Sequence, residues 1–397
     1  MFNFDFDYLL INLCLLLIFY ISGRNISNGE NYWKCATPSI IAFSLAQGLR
    51  YGRGNDYFSY VRRFLFGLND ERSQPIYEFI NDLLKTMGVG GYSSFFFYAL
   101  IFSVCFFVLL KRFVKYAEYL VPLFMVAFIA LNEYQVRQAL SFSFVFLFMN
   151  SCLDISNVYI RNKTLWLKRF NYHFILNLLY AGIYFLIASG IHKGNIPIML
   201  IFLFFLIFTK FPFPYYITIP LVVFCSFFIE KFLNLDWFLP ITSRLGDQDE
   251  FFASYTDNSD KWFSVEGMDD KYARDNIVQI FEAFGNSALL YFGYKYLKDN
   301  NNEKKQYIPF YNFYIFGLLF LLSFRKLEIM QRIGNDIYDF WCIPLSLVLY
   351  YRKLLVKSIW EKILFIGLLF FLYNYLKYLF MRGDMTLFLW DTNLILL

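Results

Sequence analysis

The feature that most restricts this chain is a series of long apolar runs joined by polar connections. Crossing roughly 30 Å of hydrocarbon takes about 20 helical residues. About twelve runs approach that requirement, near 6–22, 36–50, 92–110, 118–131, 138–155, 172–190, 195–208, 215–230, 277–294, 307–323, 338–350 and 359–379. The second, fourth, seventh and eleventh are short, which sets the expected range at ten to thirteen spans. Composition closes the alternative: 58% of the 397 residues are hydrophobic and 17% charged, whereas soluble domains are about 45–50% apolar and about 25% charged. A soluble enzyme is excluded. The sequence predicts an all-α integral membrane protein, a single polytopic domain over 1–397. Asp5 and Asp7 precede the first run and no small-residue cleavage pattern follows it, so it reads as a retained span.

If the runs alternate in direction, the basic residues set orientation, because cytoplasmic connections are enriched in Lys and Arg. The connections holding Arg24/Lys34, Lys111/Arg112/Lys115, Arg161/Lys163/Lys168/Arg169, Lys210, Lys295/Lys298/Lys304/Lys305 and Arg352/Lys353/Lys357/Lys362 fall on one side. They carry eighteen basic and six acidic residues. The remaining eighteen basic and twenty-five acidic residues fall on the other side, which is the outward face by this rule. Both termini and the two longest connections, 51–91 and 231–276, belong to that face.

Loops beyond about 12–15 residues are usually functional or disordered, and neither of these reads as disordered. In the first, Ile76, Phe79, Ile80, Leu83 and Leu84 follow Ser73 and Pro75 at helical spacing. This predicts an amphipathic helix on the outer membrane interface. The second mixes Asp247, Asp249, Glu250, Asp269 and Asp270 with Phe251, Phe252, Tyr255, Trp262 and Phe263. Such a mixture suits sugar stacking and hydroxyl binding, and equally a folded cap. No internal repeat is evident. Five cysteines lie inside apolar runs and Cys35 borders one, so neither a disulfide framework nor a Cys-rich metal site is expected.

The two histidines, His173 and His192, sit near opposite ends of one predicted span, about 28 Å apart at 1.5 Å per residue. They cannot share a metal. His173, beside Lys168 and Arg169, reads as interfacial. His192, in SGIHKGN, reads either as a helix-terminal polar residue or as a general base. Gly88, Gly90 and Gly91 lack the flanking Lys-Ser/Thr of a phosphate loop and mark a helix stop. The Asn25 and Asn162 sequons fall on the inward side.

Outward arginines run against the usual charge bias. Arg50, Arg53, Arg62 and Arg63 crowd the segment LRYGRGNDYFSYVRRF at 49–64, where Gly52 and Gly54 permit a tight turn or close approach. A helix starting after Asn55/Asp56 places Asp56, Tyr60 and Arg63 on one face; alternatively Asp56 is an N-cap. Arg137 begins a span and is either paired with Glu133 at i−4 or free for a ligand. Arg332 lies between Glu328 and Asp336, with Arg325 and Lys326 upstream, and has the same two readings. Arginine suits bidentate recognition of phosphate.

Taken in order, LR-x-G-x-G-x-D-Y-x-x-Y at 49–60, the Pro75 helix, VRQALSFSF at 136–144, SGIHKGNIPI at 189–198 and QRI with a following Tyr at 331–338 resemble the EpsG-type, Wzy-like O-antigen and capsular polysaccharide polymerases. The resemblance covers about 45–350. It implies a type C glycosyltransferase-like fold of about twelve transmembrane helices in the bacterial inner (cytoplasmic) membrane, with its site and both long loops facing the periplasm. The implied donor is a growing glycan on undecaprenyl diphosphate, transferred to the non-reducing end of an incoming lipid-linked repeat unit. The matching positions are Arg50, Gly54, Asp56, Tyr60, Arg137, Gln138, His192 and Arg332, with Tyr338 following Arg332 at a wider spacing than the family pattern.

Elementary chemistry fits this implication. Breaking an anomeric bond to diphosphate requires the leaving anion to be stabilised by preorganised cations, and the attacking hydroxyl needs a base. We assign catalytic roles to His192, Asp56 and Arg137, with His192 the first choice of base and Asp56 the second. Arg50, Arg53, Tyr60, Gln138, Arg332 and Tyr338 are assigned to the diphosphate or glycan. No cofactor or metal is expected. Expected partners are the lipid-linked donor and acceptor, membrane lipids, and a chain-length regulator and flippase of the same pathway, with no nucleic acid. A lipid-linked oligosaccharide flippase and an O-antigen ligase or other type C transferase are the competing readings. Thiol labelling of single cysteines placed in 51–91 and 231–276 should succeed from outside the cell; labelling only from the cytoplasmic side would overturn the orientation.

Overall fold

A computed structural model describes residues 6–54, 56–67, 74–161, 172–229, 276–298, 302–325, 328–380 and 387–388. Apart from one two-stranded pairing, the regular structure among them is helical. Among the described residues, six helical stretches are long and apolar enough to cross a membrane: Phe6–Ser27, Ser94–Tyr134, Val136–Ser156, Tyr172–Ile191, Lys304–Ser323 and Ile359–Phe380. Lys193–Phe208 and Tyr215–Phe227 are shorter apolar helices. The remaining predicted runs also fall on helices, which are shorter or less apolar. On α1 (Phe6–Ser27), Leu10, Leu13, Leu17 and Ile21 are exposed while Tyr8, Leu15 and Phe19 are buried. Exposed apolar faces on this scale need lipid rather than water around them. The chain is an integral, multi-pass membrane protein.

The chain forms two compact units, one from Met1–Leu68, Gln74–Phe208 and Asn374–Leu397, the other from Asn69–Ser73 and Thr209–Tyr373. In the first, α1 is followed by α2 (Tyr32–Gly48), β1 (Arg50–Tyr51), α3 (Tyr57–Phe66), α4 (Pro75–Thr86), α5 (Ser94–Leu110), α6 (Ala117–Tyr134), α7 (Val136–Arg161), α8 (Tyr172–Ile191) and α9 (Ile196–Phe208). The 41-residue stretch 94–134 is not one long rod. It folds back at Phe113, which leaves helical geometry, so that Phe102 meets Phe128 and Phe106 meets Phe124 from antiparallel helices. A second break lies at Gln135, where φ −129° and ψ 55° end α6 before α7 begins.

The second unit holds α10 (Tyr215–Phe227), α11 (Asn276–Leu297), α12 (Ile308–Ser323), α13 (Glu328–Tyr338), α14 (Cys342–Tyr350), α15 (Arg352–Leu355) and α16 (Ile359–Ile366). The last helix, α17 (Leu369–Phe380), starts in the second unit and ends in the first. α12 and α13 pack closely because Gly317 and Gly334 lie at their contact: a Cβ at Gly317 would sit 2.6 Å from the Tyr338 backbone nitrogen. The long connection 231–276, with its acids and aromatics, lies outside the described residues but for Asn276.

The predicted helix in the first long connection is α4. Part of its apolar stripe lies at the surface. Tyr77, Asn81 and Leu84 face the interior, whereas Phe79 is 66% and Leu83 51% exposed. The physical reason is the Tyr98 hydroxyl, which donates to the Asn81 side chain and so turns a polar residue inward.

What positions one end of the first unit is a core of Tyr57 and Val61 (α3), Tyr77 (α4), Phe95 (α5), Leu140 (α7) and Ile191 (α8). Tyr57 stacks on Phe95 with ring centroids 4.6 Å apart. Gly54, at φ +97°, seats the preceding loop so tightly that a Cβ there would lie 2.2 Å from the Glu133 carbonyl oxygen, while Gly67, at φ +56°, has open space. Gly67→Ala should cost only the left-handed penalty of about 1–2 kcal/mol. Gly54→Ala should lower the thermal midpoint of the detergent-solubilised protein clearly further, and equal losses would contradict the contact.

Candidate active site

Four of the five sequence segments singled out above belong to the first unit, and the core just described draws them together. The loop 50–54 is the first. Tyr57 donates its hydroxyl to the Arg50 carbonyl at 3.0 Å. The Arg50 guanidinium, 1% exposed, lies 5.1 Å from the centroid of Phe95. It donates to Gln47 at 3.2 Å, and its Nε has no hydrogen-bond partner. Burial pulls the Arg50 pKa below its ordinary value, with the nearby Glu133 charge opposing. A guanidinium has five N–H donors, so this one is buried with most of its hydrogen-bonding capacity unspent.

Arg53 is placed differently. It is 4% exposed and pairs with Glu133 at 3.0 Å, its guanidinium over the Tyr8 ring. Burial pulls its pKa down, but Glu133 and Tyr8 pull it up by more, and the net direction is up. The Glu133 carboxylate is 1% exposed. It accepts from Tyr8 at 3.0 Å, from Gln47 at 3.5 Å and from Tyr378 of α17. The expected i,i+4 alternative for Arg137 therefore fails: the break at Gln135 removes the helical register, and Glu133 turns to Arg53 instead.

Arg137 lies half-buried in the first turn of α7, and its buried Nε has no hydrogen-bond partner. It faces Tyr60 of α3. Burial pushes the Tyr60 hydroxyl up to about 12, and Arg137 is the leading influence in the other direction. Asp56 precedes α3, exposed; its side chain caps nothing, although its carbonyl accepts from the Tyr60 N–H at 3.0 Å. The capping alternative for its carboxylate is thus not realised. Arg63 meets Glu78 at 3.4 Å near the surface, a contact worth little. Gln138 is buried one residue beyond Arg137.

His192 follows α8, half-buried, its N–H bonded to the Ala188 carbonyl at 2.9 Å. A side chain at position 194 would come within 2.8 Å of its Nε2, so Gly194 is what leaves room for the imidazole. The turn is tied to α7: Asn195 donates to Ser141 at 2.7 Å, and Ser141 donates to the Ala188 carbonyl at 2.8 Å. Ser141 is one helical turn past Arg137. The histidine and arginine motifs are thereby joined by a hydrogen-bond relay.

The fifth segment belongs to the second unit. Arg332 is half-buried on α13. Tyr338 donates to Asn286 at 3.1 Å, sharing that acceptor with Tyr314 at 2.7 Å. Arg325, expected beside Arg332, pairs instead with Glu282 of α11 at 3.1 Å.

With this geometry in place, comparison with known proteins is informative. The profile of the EpsG family matches residues 33–390. The chain belongs to the EpsG family. The match spans both units and every motif described above. No curated protein and no solved structure matches the chain. Among the described residues of this EpsG-family chain, no group of three metal-ligating side chains occurs.

Sequence reasoning misses the importance of Glu133, Gln47 and Tyr378. Glu133 carries a signal, an acid at the end of an apolar run, but helical spacing matches it to the wrong arginine. Removing one member of a buried ion pair costs about 3–5 kcal/mol, whereas replacing both by apolar residues of similar volume is often tolerated. Arg53→Ala should therefore destabilise strongly in denaturant titration, and Arg53→Met with Glu133→Leu should recover much of the loss. Equal stability of Arg53→Ala and wild type would rule out the pair as a structural element.

Proposed function

We propose that this EpsG-family protein is a polysaccharide polymerase. It transfers the growing glycan from undecaprenyl diphosphate to the non-reducing end of an incoming lipid-linked repeat unit. In this reading the protein has about twelve spans in the bacterial inner membrane, a type C glycosyltransferase-like fold and a site on the periplasmic face. The observation that carries the reading is the pair Arg50 and Arg137: two guanidinium groups in one unit, each with a buried Nε that has no hydrogen-bond partner and, unlike Arg53 and Arg63, neither in an ion pair among the described residues. Leaving such donors unused is costly unless a ligand takes them up. A diphosphate leaving group is an anion that two arginines can meet in a bidentate manner.

In the transfer, the bond between the anomeric carbon and the diphosphate oxygen breaks, and the electron pair leaves with the diphosphate. Arg50 and Arg137 stabilise that charge as it develops. The acceptor hydroxyl forms the new glycosidic bond and gives its proton to a base. His192 is the first choice, set by the Asn195–Ser141 relay close to the arginine helix; exposed Asp56 is the second. Tyr60, beside Arg137, and Gln138 are positioned for glycan hydroxyls. Arg53 supports the site through Glu133, and Arg332 and Tyr338 of the second unit are assigned to the diphosphate or glycan. A chain-length regulator and a flippase of the same pathway are the proposed partners.

The test uses purified protein in proteoliposomes with lipid-linked repeat units. Wild type should give a ladder of polymer. Losing a charge-assisted contact to a buried anion costs on the order of 2–5 kcal/mol. Arg50→Ala and Arg137→Ala should thus lose about 30-fold or more in turnover, with partial recovery in the lysine variants. His192→Gln should lose about 10²–10⁴-fold. Single-repeat capping would instead indicate a ligase, and movement of precursor without bond formation a flippase.

A further inference from the structure

Two separate contacts from α17 and from the strand that follows it in sequence reach the arginine loop. The first is chemical: Tyr378, near the end of α17, donates its hydroxyl to the same buried carboxylate, Glu133, that pairs with Arg53. The second is backbone pairing: β2 (Leu387–Phe388) lies antiparallel to β1, with Arg50 opposite Phe388 and Tyr51 opposite Leu387. Residues more than 320 positions apart therefore hold the loop from both of its ends, Arg50 through the strand and Arg53 through the carboxylate. Next to Arg53, Gly54 leaves the loop no side-chain bulk against the Glu133 carbonyl. Tyr8 and Gln47 complete the ring of donors around Glu133.

We propose that Glu133 and Tyr378 are positioning residues that lock the 50–54 loop in the shape that binds the anionic donor, so that α17 acts as a clasp on the site. The proposal rests on the polymerase reading above. The physical reasoning is direct. Arg50 makes few hydrogen bonds of its own, so its placement depends on the backbone that carries it. That backbone is fixed by Tyr57, by the strand pairing and, through Arg53, by Glu133. A carboxylate with several donors is held in one rotamer, and each lost donor loosens it. Neither Glu133 nor Tyr378 is assigned contact with substrate.

The experiment compares full-length wild type with Tyr378→Phe, which keeps the ring and removes the hydroxyl, and with Glu133→Gln, which keeps the shape and removes the charge. Tyr375→Phe is the control, because the Tyr375 hydroxyl is buried on the same helix and makes no hydrogen bond. Two readouts are taken in nanodiscs: amide hydrogen exchange over 49–54, and the kinetics of polymer formation. For Tyr378→Phe the expected result is about tenfold faster exchange in 49–54 and about a tenfold higher KM for the lipid-linked donor, as loss of a hydrogen bond to a charged group implies. Its kcat should change less than KM, exchange in α3 should be unchanged, and Glu133→Gln should move both readouts further. Tyr375→Phe should match wild type. Unchanged exchange over 49–54 in Tyr378→Phe would overturn the clasp. Faster exchange with an unchanged KM would also overturn it, because the contact would then be structural only. A wild-type protein that makes no polymer would overturn the polymerase reading, and the exchange measurement is independent of that result.

Discussion

A single buried carboxylate organises the end of the first unit that holds the arginine loop. Glu133 ends an apolar helix, where a lone negative charge would be expensive, and its cost is offset by Arg53, Tyr8, Gln47 and Tyr378. Those partners come from the first helix, the end of the second, the glycine loop and the last helix. An isolated ion pair of this sort is weak evidence for stability, but it is strongly selective among arrangements: few packings of these segments satisfy the carboxylate at once. The break at Gln135 follows from the same demand. If α6 continued as one helix into α7, Glu133 and Arg137 would share a face, and Arg53 would be left buried against the Tyr8 ring with its charge uncompensated.

The consequence is a division of labour among arginines that look alike in sequence. Arg53 serves the fold, being committed to Glu133. Arg63 meets Glu78 near the surface. Arg50 and Arg137, unlike Arg53 and Arg63, form no ion pair among the described residues, and they lie near Tyr57 and Tyr60 of α3 respectively. The Tyr57 and Phe95 rings shield the buried Arg50 charge from water without supplying a counter-charge of their own. That is the environment in which a charge-assisted bond to an anion is strongest.

Much of the site is legible in the amino-acid sequence. The motif segments at 49–60, 136–144 and 189–198 share one unit because their apolar residues, Tyr57, Val136, Leu140 and Ile191 among them, meet in one core. The turn chemistry is legible too, since Gly52 and Gly54 do adopt positive φ. Pairings across long sequence separations are not. Nothing local distinguishes Arg53 from Arg50, or indicates that Tyr378 faces Glu133. Likewise, α4 is legible as an amphipathic helix, and Phe79 and Leu83 of its apolar stripe lie at the surface, but the Tyr98–Asn81 hydrogen bond that turns Asn81 inward is not legible.

The sequence by itself determined that the chain is helical and belongs in a membrane, because a backbone surrounded by hydrocarbon must satisfy its hydrogen bonds within each segment. It also placed the helices: each apolar run falls on one, since length and apolarity are local properties. The tertiary structure decided which charges are partners. The energy of a buried ion depends on what surrounds it in space, and the surrounding groups of Glu133 are drawn from residues 8, 47, 53 and 378. Periodicity carries no information about contacts at that separation; only the folded chain brings them within hydrogen-bonding distance.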